Sequence, residues 1–369
     1  MRVVLSSNTA WSLYNFRGGV IRALLDRGNH VAVIAPWDAF SPKLGALGCE
    51  VFDIAMENEG SSPLADAKTL LAYSRIYRSL RPHIALHFTI KPNIYGTLAA
   101  RLQRLPCVNT VTGLGTAFIH ESWVTRIAER LYRLSQSWPT KVFFQNTDDM
   151  KLFAERSLVP AEKVERLWGS GVDLARFTPA APPANPAPIL LLIARMMKDK
   201  GVVEFVEAAR TLKARYPQVR FQMMGRLGVA NRSAIPREQV EAWVAEGMEY
   251  FGETDDVMPY VAKADCIVLP SYREGISKIL LEAAAMARPI VTTDVTGCRD
   301  VIDDGESGYL CKARDSKDLA DKLERMLMLS AEERTEMGLK GREKMTREFD
   351  ERNVIRRYLE VIDAAVKPC

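Results

Sequence analysis

One strand, one loop and the start of one helix follow each other in Cys266-Ile-Val-Leu-Pro-Ser-Tyr-Arg-Glu-Gly-Ile-Ser-Lys-Ile-Leu-Leu-Glu-Ala-Ala284. The apolar run Cys266–Leu269 predicts a buried strand, and the pattern from Ile276 onward predicts a helix. Gly275 lets the backbone come close to a neighbour just before that helix. The exposed amides of a helix N-terminus form a ready site for an anion, so the segment predicts one here.

The same alternation of strand and helix patterns extends through both halves of the chain. Short apolar runs alternate with helical patterns from Val3–Leu5 to Val142–Gln145. The alternation restarts at Ile189–Ile193 and ends in a largely helical tail from Asp315. Strands of about four to six residues separated by helices of about 10–15 residues predict βαβ units and parallel sheets covered on both faces. We therefore predict an α/β chain with two Rossmann-like, doubly wound domains.

The length of 369 residues also favours two domains, because single cores rarely grow beyond roughly 250 residues. The clearest interruption is Thr178-Pro-Ala-Ala-Pro-Pro-Ala-Asn-Pro-Ala-Pro188, which has five prolines and no charge. Such a segment forms neither a helix nor a central strand. We predict domains at residues 1–178 and 189–350 with a linker at 179–188. Ligands of these sheets bind outside the carboxyl ends of the strands, so we expect the domains to face each other across a ligand-binding cleft.

The composition is that of a folded soluble protein. Apolar residues make up 47% and charged residues 26%, which excludes a disordered chain and a disulfide-dense miniature. The six cysteines are scattered with no C-x-x-C pair, so we expect reduced structural thiols and no zinc or iron–sulfur motif. The chain lacks a signal-peptide pattern and an apolar run long enough to span a bilayer. We expect a cytoplasmic location.

Positive charge is concentrated in the first half. Residues 1–178 hold 21 Lys and Arg against 15 Asp and Glu, whereas residues 179–369 hold 29 against 31. Within residues 60–141 the balance is 11 basic to three acidic side chains. This predicts an anionic partner: a phosphate-bearing ligand, nucleic acid or the anionic face of a bilayer. The alternative is that these are solvated helix faces.

Two carboxylates and two cations are the strongest candidates for chemistry. Glu274 precedes the predicted anion site and can accept hydrogen bonds from ligand hydroxyls, while Glu282 can reach a second diol. Two carboxylates that straddle a phosphate site suit a sugar–diphosphate–ribose molecule. Arg195 and Lys200 follow the first strand of the second domain, where two cations can neutralise a leaving diphosphate. The alternative for Arg195 is a surface salt bridge, and Lys198 is more simply an exposed neighbour.

Several segments carry a resemblance to a known family. Seven residues separate Glu274 from Glu282, and the accompanying segments are Ile193-Ala-Arg-Met-Met-Lys-Asp-Lys-Gly-Val-Val-Glu-Phe205, Gly169-Ser-Gly-Val-Asp-Leu-Ala-Arg-Phe-Thr-Pro179, Tyr250-Phe-Gly-Glu253 and Val268-Leu-Pro-Ser271. The chain resembles the retaining, family-4-type glycosyltransferases of the GT-B fold, which carry a Glu-x7-Glu signature. Lys91-Pro-Asn-Ile-Tyr-Gly96 and Val111-Thr-Gly-Leu-Gly-Thr-Ala-Phe118 look most like enzymes that extend polyprenyl-diphosphate-linked sugars in O-antigen, capsule or N-glycan assembly.

The resemblance implies a retaining hexosyltransferase with a UDP-sugar as substrate and no cofactor. Its catalytic residues would be Glu274, Arg195 and Lys200, with the cationic pair replacing a divalent metal. No D-x-D-like pair stands where a metal would be expected. The implied donor-binding residues are Gly18, Gly19, Arg195, Lys200, Phe251, Glu274, Gly275, Ile276, Ser277, Lys278 and Glu282. Gly18 and Gly19 resemble the family's glycine loop between the first strand and the first helix, and Lys278 stands where a small or apolar residue is common.

The acceptor side is expected on the first domain. Many relatives carry a histidine in a loop where this chain has Thr112, which questions any role built on histidine there. His120 is the best stand-in among the four histidines, and the other implied acceptor residues are Asn15, Arg17, Thr112 and Gly113. The resemblance also implies that the helical segment at residues 351–369 returns to the first domain.

Two basic amphipathic helical patterns point to the membrane. Leu64–Arg81 and Trp123–Trp138 combine helical apolar spacing with arginines, and their tryptophans suit a bilayer interface. We expect a peripheral enzyme on the inner face of the cell membrane that takes a polyprenyl-diphosphate-linked sugar as acceptor.

Two other readings compete with a transferase. A sugar-nucleotide epimerase or hydrolase of the same architecture would be expected to place catalytic carboxylates and histidines in the cleft, and four histidines do not favour it. A non-catalytic binding protein would leave Arg195, Lys200, Glu274 and Glu282 unexplained. The aromatic–basic interleaving of nucleic-acid platforms is not evident, so no nucleic-acid partner is expected.

Overall fold

The protein is described by a computed structural model that covers residues 1–56, 62–114, 123–228, 231 and 233–366. The chain forms two compact units. The first combines residues 1–170 with residues 351–369, and the second comprises residues 171–350. Among the described residues, no helix combines the length and the apolar content needed to cross a membrane.

The first unit is built on a parallel sheet of seven strands. In chain order they are β1 (Arg2–Ser6), β2 (His30–Ala35), β3 (Glu50–Asp53), β4 (Ile84–Phe88), β5 (Cys107–Val111), β6 (Lys141–Phe144) and β7 (Val164–Arg166). Their order in the sheet is β3-β2-β1-β4-β5-β6-β7, with Val3 opposite Val31 on one side and Ile84 on the other. This doubly wound order places a topological switch point between β1 and β4.

Helices cover both faces of this sheet. They are α1 (Ala10–Asp26), α2 (Ser41–Ala46), α3 (Pro63–Leu80), α4 (Thr97–Leu102), α5 (Trp123–Ser135), α6 (Thr147–Glu155) and the C-terminal α13 (Glu351–Ala365), with a π-helical turn at Pro92–Gly96 and a 3₁₀ turn at Ala161–Lys163. Alternate strand residues face opposite cores, as strand geometry requires. Val3 and Leu5 pack with α1, α2 and α13, and Val4 packs with α3, α4, α5 and α6.

The second unit repeats the plan with six parallel strands. These are β8 (Ile189–Ile193), β9 (Arg220–Met224), β10 (Glu249–Tyr250), β11 (Cys266–Leu269), β12 (Ile290–Thr293) and β13 (Gly308–Cys311). The sheet order β10-β9-β8-β11-β12-β13 is again doubly wound, with its switch point between β8 and β11. The predicted α/β class with two such sheets is confirmed.

Six helices accompany the second sheet. They are α7 (Val202–Lys213), α8 (Arg237–Ala245), α9 (Met258–Lys263), α10 (Lys278–Ala285), α11 (Ser316–Met328) and α12 (Ala331–Glu348), with a 3₁₀ turn at Lys198–Lys200. Side-chain caps fix the residues at which α11 and α12 begin. Ser330 and Glu333 form a reciprocal capping box at α12, and Asp315 accepts from Asp318 N at α11.

The proline-rich segment is placed differently from the sequence prediction. The structure groups residues 171–188 with the second unit, whereas the sequence predicts a linker at 179–188. Arg288 donates to the carbonyl oxygens of Ala180 (3.2 Å) and Ala181 (2.5 Å), and Asn185 donates to Asp265 at 2.9 Å. These hydrogen bonds hold the segment against the second unit, so the chain passes between the units at residues 170–171 and 350–351.

Candidate functional site

Three of the predicted donor residues lie at the switch point of the second sheet. Arg195 and Lys200 lie in the loop after β8, and Glu274 lies in the loop after β11. Because β8 and β11 are neighbouring parallel strands, both loops leave the same edge of the sheet. Ligands of doubly wound sheets bind at this position.

Lys200 and Glu274 form a direct ion pair. Lys200 Nζ lies 2.5 Å from Glu274 Oε1, and both side chains are mostly buried. Charge-assisted hydrogen bonds in such surroundings are stronger than neutral ones. The pair fixes a cation and a carboxylate side by side at the carboxyl ends of β8 and β11.

The loop that carries Lys200 is pressed against the loop that carries Glu274. Tyr272 N donates to Asp199 O at 2.9 Å. Gly201 has φ of +71°, and a Cβ at this position would overlap the Pro270 carbonyl oxygen. Only glycine permits both this conformation and this approach, so the glycine after Lys200 brings the ion pair together.

The loop after β12 supports Glu274 from the other side. Glu274 N donates to Thr296 O at 3.0 Å, and Ser277 N donates to Gly297 O at 3.2 Å. Gly297 has φ of +76°, and a Cβ there would overlap the Glu274 carbonyl oxygen. Three loops from neighbouring strands therefore hold the turn that leads into α10. Ser277 precedes that helix without a side-chain capping hydrogen bond.

Arg195 is exposed at the same edge. It follows Ala194, whose carbonyl oxygen would overlap a Cβ at Gly225 in the loop after β9. Met196 N donates to Arg226 O at 2.9 Å and fixes the backbone on the far side of Arg195. The backbone is thus held at both flanks, while the guanidinium faces solvent.

Glu282 lies inside α10 and is only 8% exposed. Burial raises the pKa of its carboxyl group to about 7, while the charges of Lys278 and Arg176 lower it and Asp256 raises it. Lys278 Nζ is 3.8 Å from Glu282 Oε1, so Lys278 faces a carboxylate of its own helix. A carboxyl group with this pKa can both donate and accept a hydrogen bond near neutral pH.

Phe251 lies at the far end of the same sheet edge. It follows β10, where Phe251 N donates to Met223 O at 3.0 Å. Its exposed ring packs against Tyr260 with centroids 5.8 Å apart.

The predicted position of Gly18 and Gly19 is wrong. Thr9 Oγ1 accepts from Ser12 N at 3.1 Å and caps α1, so the helix begins at Ala10 and both glycines lie in its interior. A Cβ at Gly19 would lie 2.9 Å from Ile355 Cδ1, so this glycine lets α13 pack closely on α1. Both glycines are therefore helical residues and do not form a glycine loop.

The acceptor candidates of the first unit are only partly brought together. Arg17 is buried in α1, whereas Asn15 Nδ2 donates to Trp11 O of the same helix at 3.0 Å. Thr112 and Gly113 follow β5, and Gly113 has φ of +126°. His120 lies outside the described residues.

Gln145 is hydrogen-bonded to two of these candidates, and the sequence patterns did not predict it as a site residue. Its amide oxygen accepts from Arg17 Nη2 at 3.1 Å, and its amide nitrogen donates to Thr112 O at 3.2 Å. Gln145 directly follows β6. The sequence offers one signal that could have identified Gln145: it is a polar residue at the carboxyl end of an apolar strand, which is where ligands of this fold bind.

His83, His87 and the described cysteines have structural surroundings, and His30 lies at the surface 3.3 Å from Glu50. His87 is fully buried between Tyr77 Oη and Asn109 Oδ1, each 2.8 Å away, and burial lowers its pKa to about 4. His83 Nδ1 accepts from Arg2 N at 2.9 Å. Cysteines 49, 107, 266, 298 and 311 are free and buried, and burial raises the pKa of the Cys107 thiol to about 12.

Two family models match this chain. The model described as "Glycosyl transferase 4-like" matches residues 2–146, and "Glycosyl transferases group 1" matches residues 187–328.

Similar proteins are found along the whole length. An N,N'-diacetylbacillosaminyl-diphospho-undecaprenol alpha-1,3-N-acetylgalactosaminyltransferase from Campylobacter jejuni is 28% identical, with 100% of both chains covered. The capsular polysaccharide biosynthesis glycosyltransferase CapM from Staphylococcus aureus is 23% identical over 77% of each chain.

Solved structures share the fold. Anabaena HepE in complex with UDP and glucose has a TM-score of 0.81 at 16% identity, with 99% of this chain and 100% of that chain covered. A glycosyltransferase from Rickettsia africae has a TM-score of 0.79 at 18% identity, with 100% and 99% covered. With two matching family models that together span most of its length and two doubly wound sheets, the chain belongs to the GT-B glycosyltransferases of the family-4 type.

Proposed function

We propose that this glycosyltransferase transfers a sugar from a UDP-sugar to a saccharide carried on a lipid diphosphate, with retention of configuration and without a metal ion. The observation that carries the proposal is the Lys200–Glu274 pair at the switch point of the second sheet. The pair supports the proposal, because a cation suits the donor diphosphate and the neighbouring carboxylate suits the hydroxyls of the donor sugar.

Arg195 and Lys200 are proposed to bind the diphosphate and to stabilise the charge that grows on it as it leaves. Both follow β8, and Arg195 is exposed for a ligand. An electrostatic contact that strengthens in the transition state contributes roughly 2–4 kcal/mol, or about 10²–10³ in rate. Two such cations supply a role that a divalent metal fills in other transferases. Among the described residues, no three His, Cys, Asp or Glu side chains form a metal-ligand group.

Glu274 is proposed to accept hydrogen bonds from hydroxyls of the donor sugar and to orient Lys200. The reaction then proceeds on one face of the sugar. The bond to the diphosphate loosens, positive charge develops on the ring, and the leaving phosphate accepts the proton of the incoming hydroxyl. No nucleophilic side chain is needed in this path.

Glu282 and Phe251 are proposed to serve the nucleoside. The Glu282 carboxyl can donate and accept toward a ribose diol, and the exposed Phe251 ring offers an apolar surface for the base. The turn Gly275–Lys278 at the start of α10 is proposed to complete the diphosphate site, with the Ile276 and Lys278 amides and the Ser277 hydroxyl as donors.

The acceptor class is proposed from the curated relatives. The Campylobacter jejuni relative is named for transfer of N-acetylgalactosamine to a diphospho-undecaprenol-linked sugar, and CapM for capsular polysaccharide biosynthesis. We propose an N-acetylhexosamine or a related sugar as the transferred group, in the assembly of a bacterial surface polysaccharide or glycan.

A lipid-linked acceptor requires contact with a membrane, and the first unit carries a suitable surface. Helices α3, α4 and α5 pack on the same face of the sheet. Their outer sides expose Leu64 (78%) and Leu102 (73%), and they expose the basic residues Lys68, Arg75, Arg78, Arg101, Arg126, Arg130 and Arg133. Exposed apolar residues among cations suit an anionic bilayer surface. We propose peripheral association with the inner face of the cell membrane.

Substitution of Lys200 tests the donor site. Lys200→Ala should lower turnover about 10²–10³-fold while the fold persists, because it removes one transition-state cation. Lys198→Ala is the matched control, since Lys198 is an exposed residue of the same 3₁₀ turn, and it should retain near-normal turnover. The assay follows UDP release from a panel of UDP-sugars with lipid-diphosphate-linked saccharides. Near-normal turnover in Lys200→Ala would refute the proposed donor site.

A further inference from the structure

Arg17 is a buried cation that has no carboxylate partner among the described residues. The residue is 2% exposed, and its guanidinium carbon lies 4.4 Å from the centre of the Phe88 ring. Its Nη2 donates to Gln145, whereas its Nη1 has no hydrogen-bond partner among the described residues. A buried charge that is neither paired nor fully hydrogen-bonded destabilises a fold.

The groups around Arg17 are neutral. Phe88 ends β4, Gln145 follows β6, and Tyr358 of α13 has its hydroxyl 2.7 Å from Thr110 Oγ1 on β5. Burial lowers the pKa of Arg17, and the one ionisable group that opposes this is the phenol of Tyr358. Arginine nonetheless stays protonated in proteins. Among the described residues, a net positive charge therefore lies at the carboxyl ends of β4, β5 and β6.

Arg17 is also coupled to the loop at this edge. Gln145 accepts from Arg17 with one end of its amide and donates to Thr112 O with the other. Thr112 leads directly into Gly113, whose φ of +126° is a conformation that side chains rarely permit. The backbone at Thr112, directly after β5, is thus hydrogen-bonded to the same amide that binds the guanidinium.

We propose that Arg17 recognises an oxyanion of the phosphate class at the carboxyl edge of the first sheet. This inference rests on the proposed function, in which that oxyanion is the diphosphate of the lipid-linked acceptor. The charge acts across a low-dielectric interior, where an anion several ångströms away is attracted far more strongly than in water. The bound oxyanion provides the negative charge that the described groups around Arg17 lack.

The donor diphosphate is the other source of the same chemistry, and the test separates the two. In the acceptor arm, binding to Arg17 is measured in a chain that also carries Arg195→Ala/Lys200→Ala. This double variant serves as the background, because those two cations of the second unit would otherwise bind the probes. The probes are inorganic pyrophosphate, farnesyl diphosphate and the neutral farnesol, with binding followed by calorimetry. In the donor arm, UDP is titrated into the chain that retains Arg195 and Lys200.

Arg17→Met should weaken pyrophosphate and farnesyl diphosphate at least tenfold, leave farnesol unchanged, and leave UDP affinity in the donor arm unchanged. Its melting temperature should not fall, because methionine removes an uncompensated buried charge. Arg17→Lys keeps the charge, so its affinity for both diphosphates should stay within a few-fold of that of the Arg195→Ala/Lys200→Ala chain. If Arg17→Met folds poorly, the affinity of Arg17→Lys tests the proposal in its place.

Unchanged diphosphate affinity in Arg17→Met, an equal loss of farnesol binding, or a loss of UDP binding would each overturn the inference. These measurements need no turnover. An inactive chain that still binds pyrophosphate through Arg17 would contradict the proposed function and leave the anion site in place.

Discussion

At the residue scale, Glu282 links the proposed donor site to stability. Its pKa of about 7 in the folded chain lies above the usual value for a glutamate, because burial disfavours the charged carboxylate. The unfolded chain therefore releases this proton at lower pH than the folded chain. The contribution of Glu282 to the free energy of unfolding is therefore largest at low pH, and it is lost as the pH rises toward 7.

Glu282→Gln should remove that loss. Between about pH 4.5 and 7 the wild-type free energy of unfolding should gain a downward slope from Glu282 that the variant lacks, worth on the order of 3 kcal/mol by pH 8. Denaturant unfolding of both chains across this pH range measures the difference. Parallel pH profiles would show that the carboxyl group titrates normally.

Some residues of the candidate site are predictable and others are not. Lys200 and Glu274 stand out in the sequence because each lies just after a strand, next to a glycine that marks a close approach. Gln145 carries no such mark, since its importance depends on contacts with Arg17 and Thr112 from distant parts of the chain.

At the element scale, the outer sides of α3, α4 and α5 all expose basic and apolar side chains. The acidic residues of these helices are engaged, with Asp66 paired to Lys91 at 2.9 Å and Glu129 paired to Arg156. The predicted role of Trp138 at a bilayer is not supported, because its Nε1 donates to Leu105 O at 3.0 Å and its ring packs on the core. Leucines and cations form the exposed surface instead.

The full-length chain should float with anionic liposomes and not with neutral ones. Arg75→Glu/Arg78→Glu should reduce recovery with anionic liposomes several-fold, because each basic side chain near such a surface contributes about 1 kcal/mol. Lys312→Glu/Lys317→Glu is the matched control with two exposed lysines of the second unit. Equal recovery with both liposome types would remove the electrostatic basis of the proposed membrane contact.

Element positions were the weaker part of the sequence prediction. The Gly-Gly pair predicts a loop when taken with the family resemblance, yet the cap at Thr9 starts α1 well before it. Both glycines are nevertheless helical, and at Gly19 the missing side chain leaves room for Ile355 of α13. Intrinsic propensity is overridden here by packing between segments from opposite ends of the chain.

At the scale of the whole molecule, the C-terminal helix completes the first unit. Five apolar residues of α13 are buried, namely Val354, Tyr358, Leu359, Val361 and Ile362. They join a core formed with α1, α2 and the first sheet. Burial of such side chains contributes about 1.5–3 kcal/mol each, which together rivals the usual stability of about 5–15 kcal/mol for a whole domain.

A chain that ends at Asp350 should therefore lose the folded first unit and keep the second. Limited proteolysis should degrade residues 1–170 rapidly while residues 171–350 stay protected. A chain that ends at Val366 keeps all of α13 and is the control, with an unchanged digestion pattern expected. Protection of residues 1–170 in the shorter chain would contradict the proposed contribution of α13.

The sequence by itself determined the two doubly wound sheets and indicated the proposed donor residues of the second unit, because strand–helix alternation and residues that follow strand ends are local patterns. Tertiary structure alone decided that Arg17, Gln145 and Thr112 meet, that Gly19 accommodates α13, and that the proline-rich segment lies on the second unit. These contacts depend on strand order and on packing between distant segments. Local patterns do not encode them, since the free energy that fixes them arises only when the sheets are assembled.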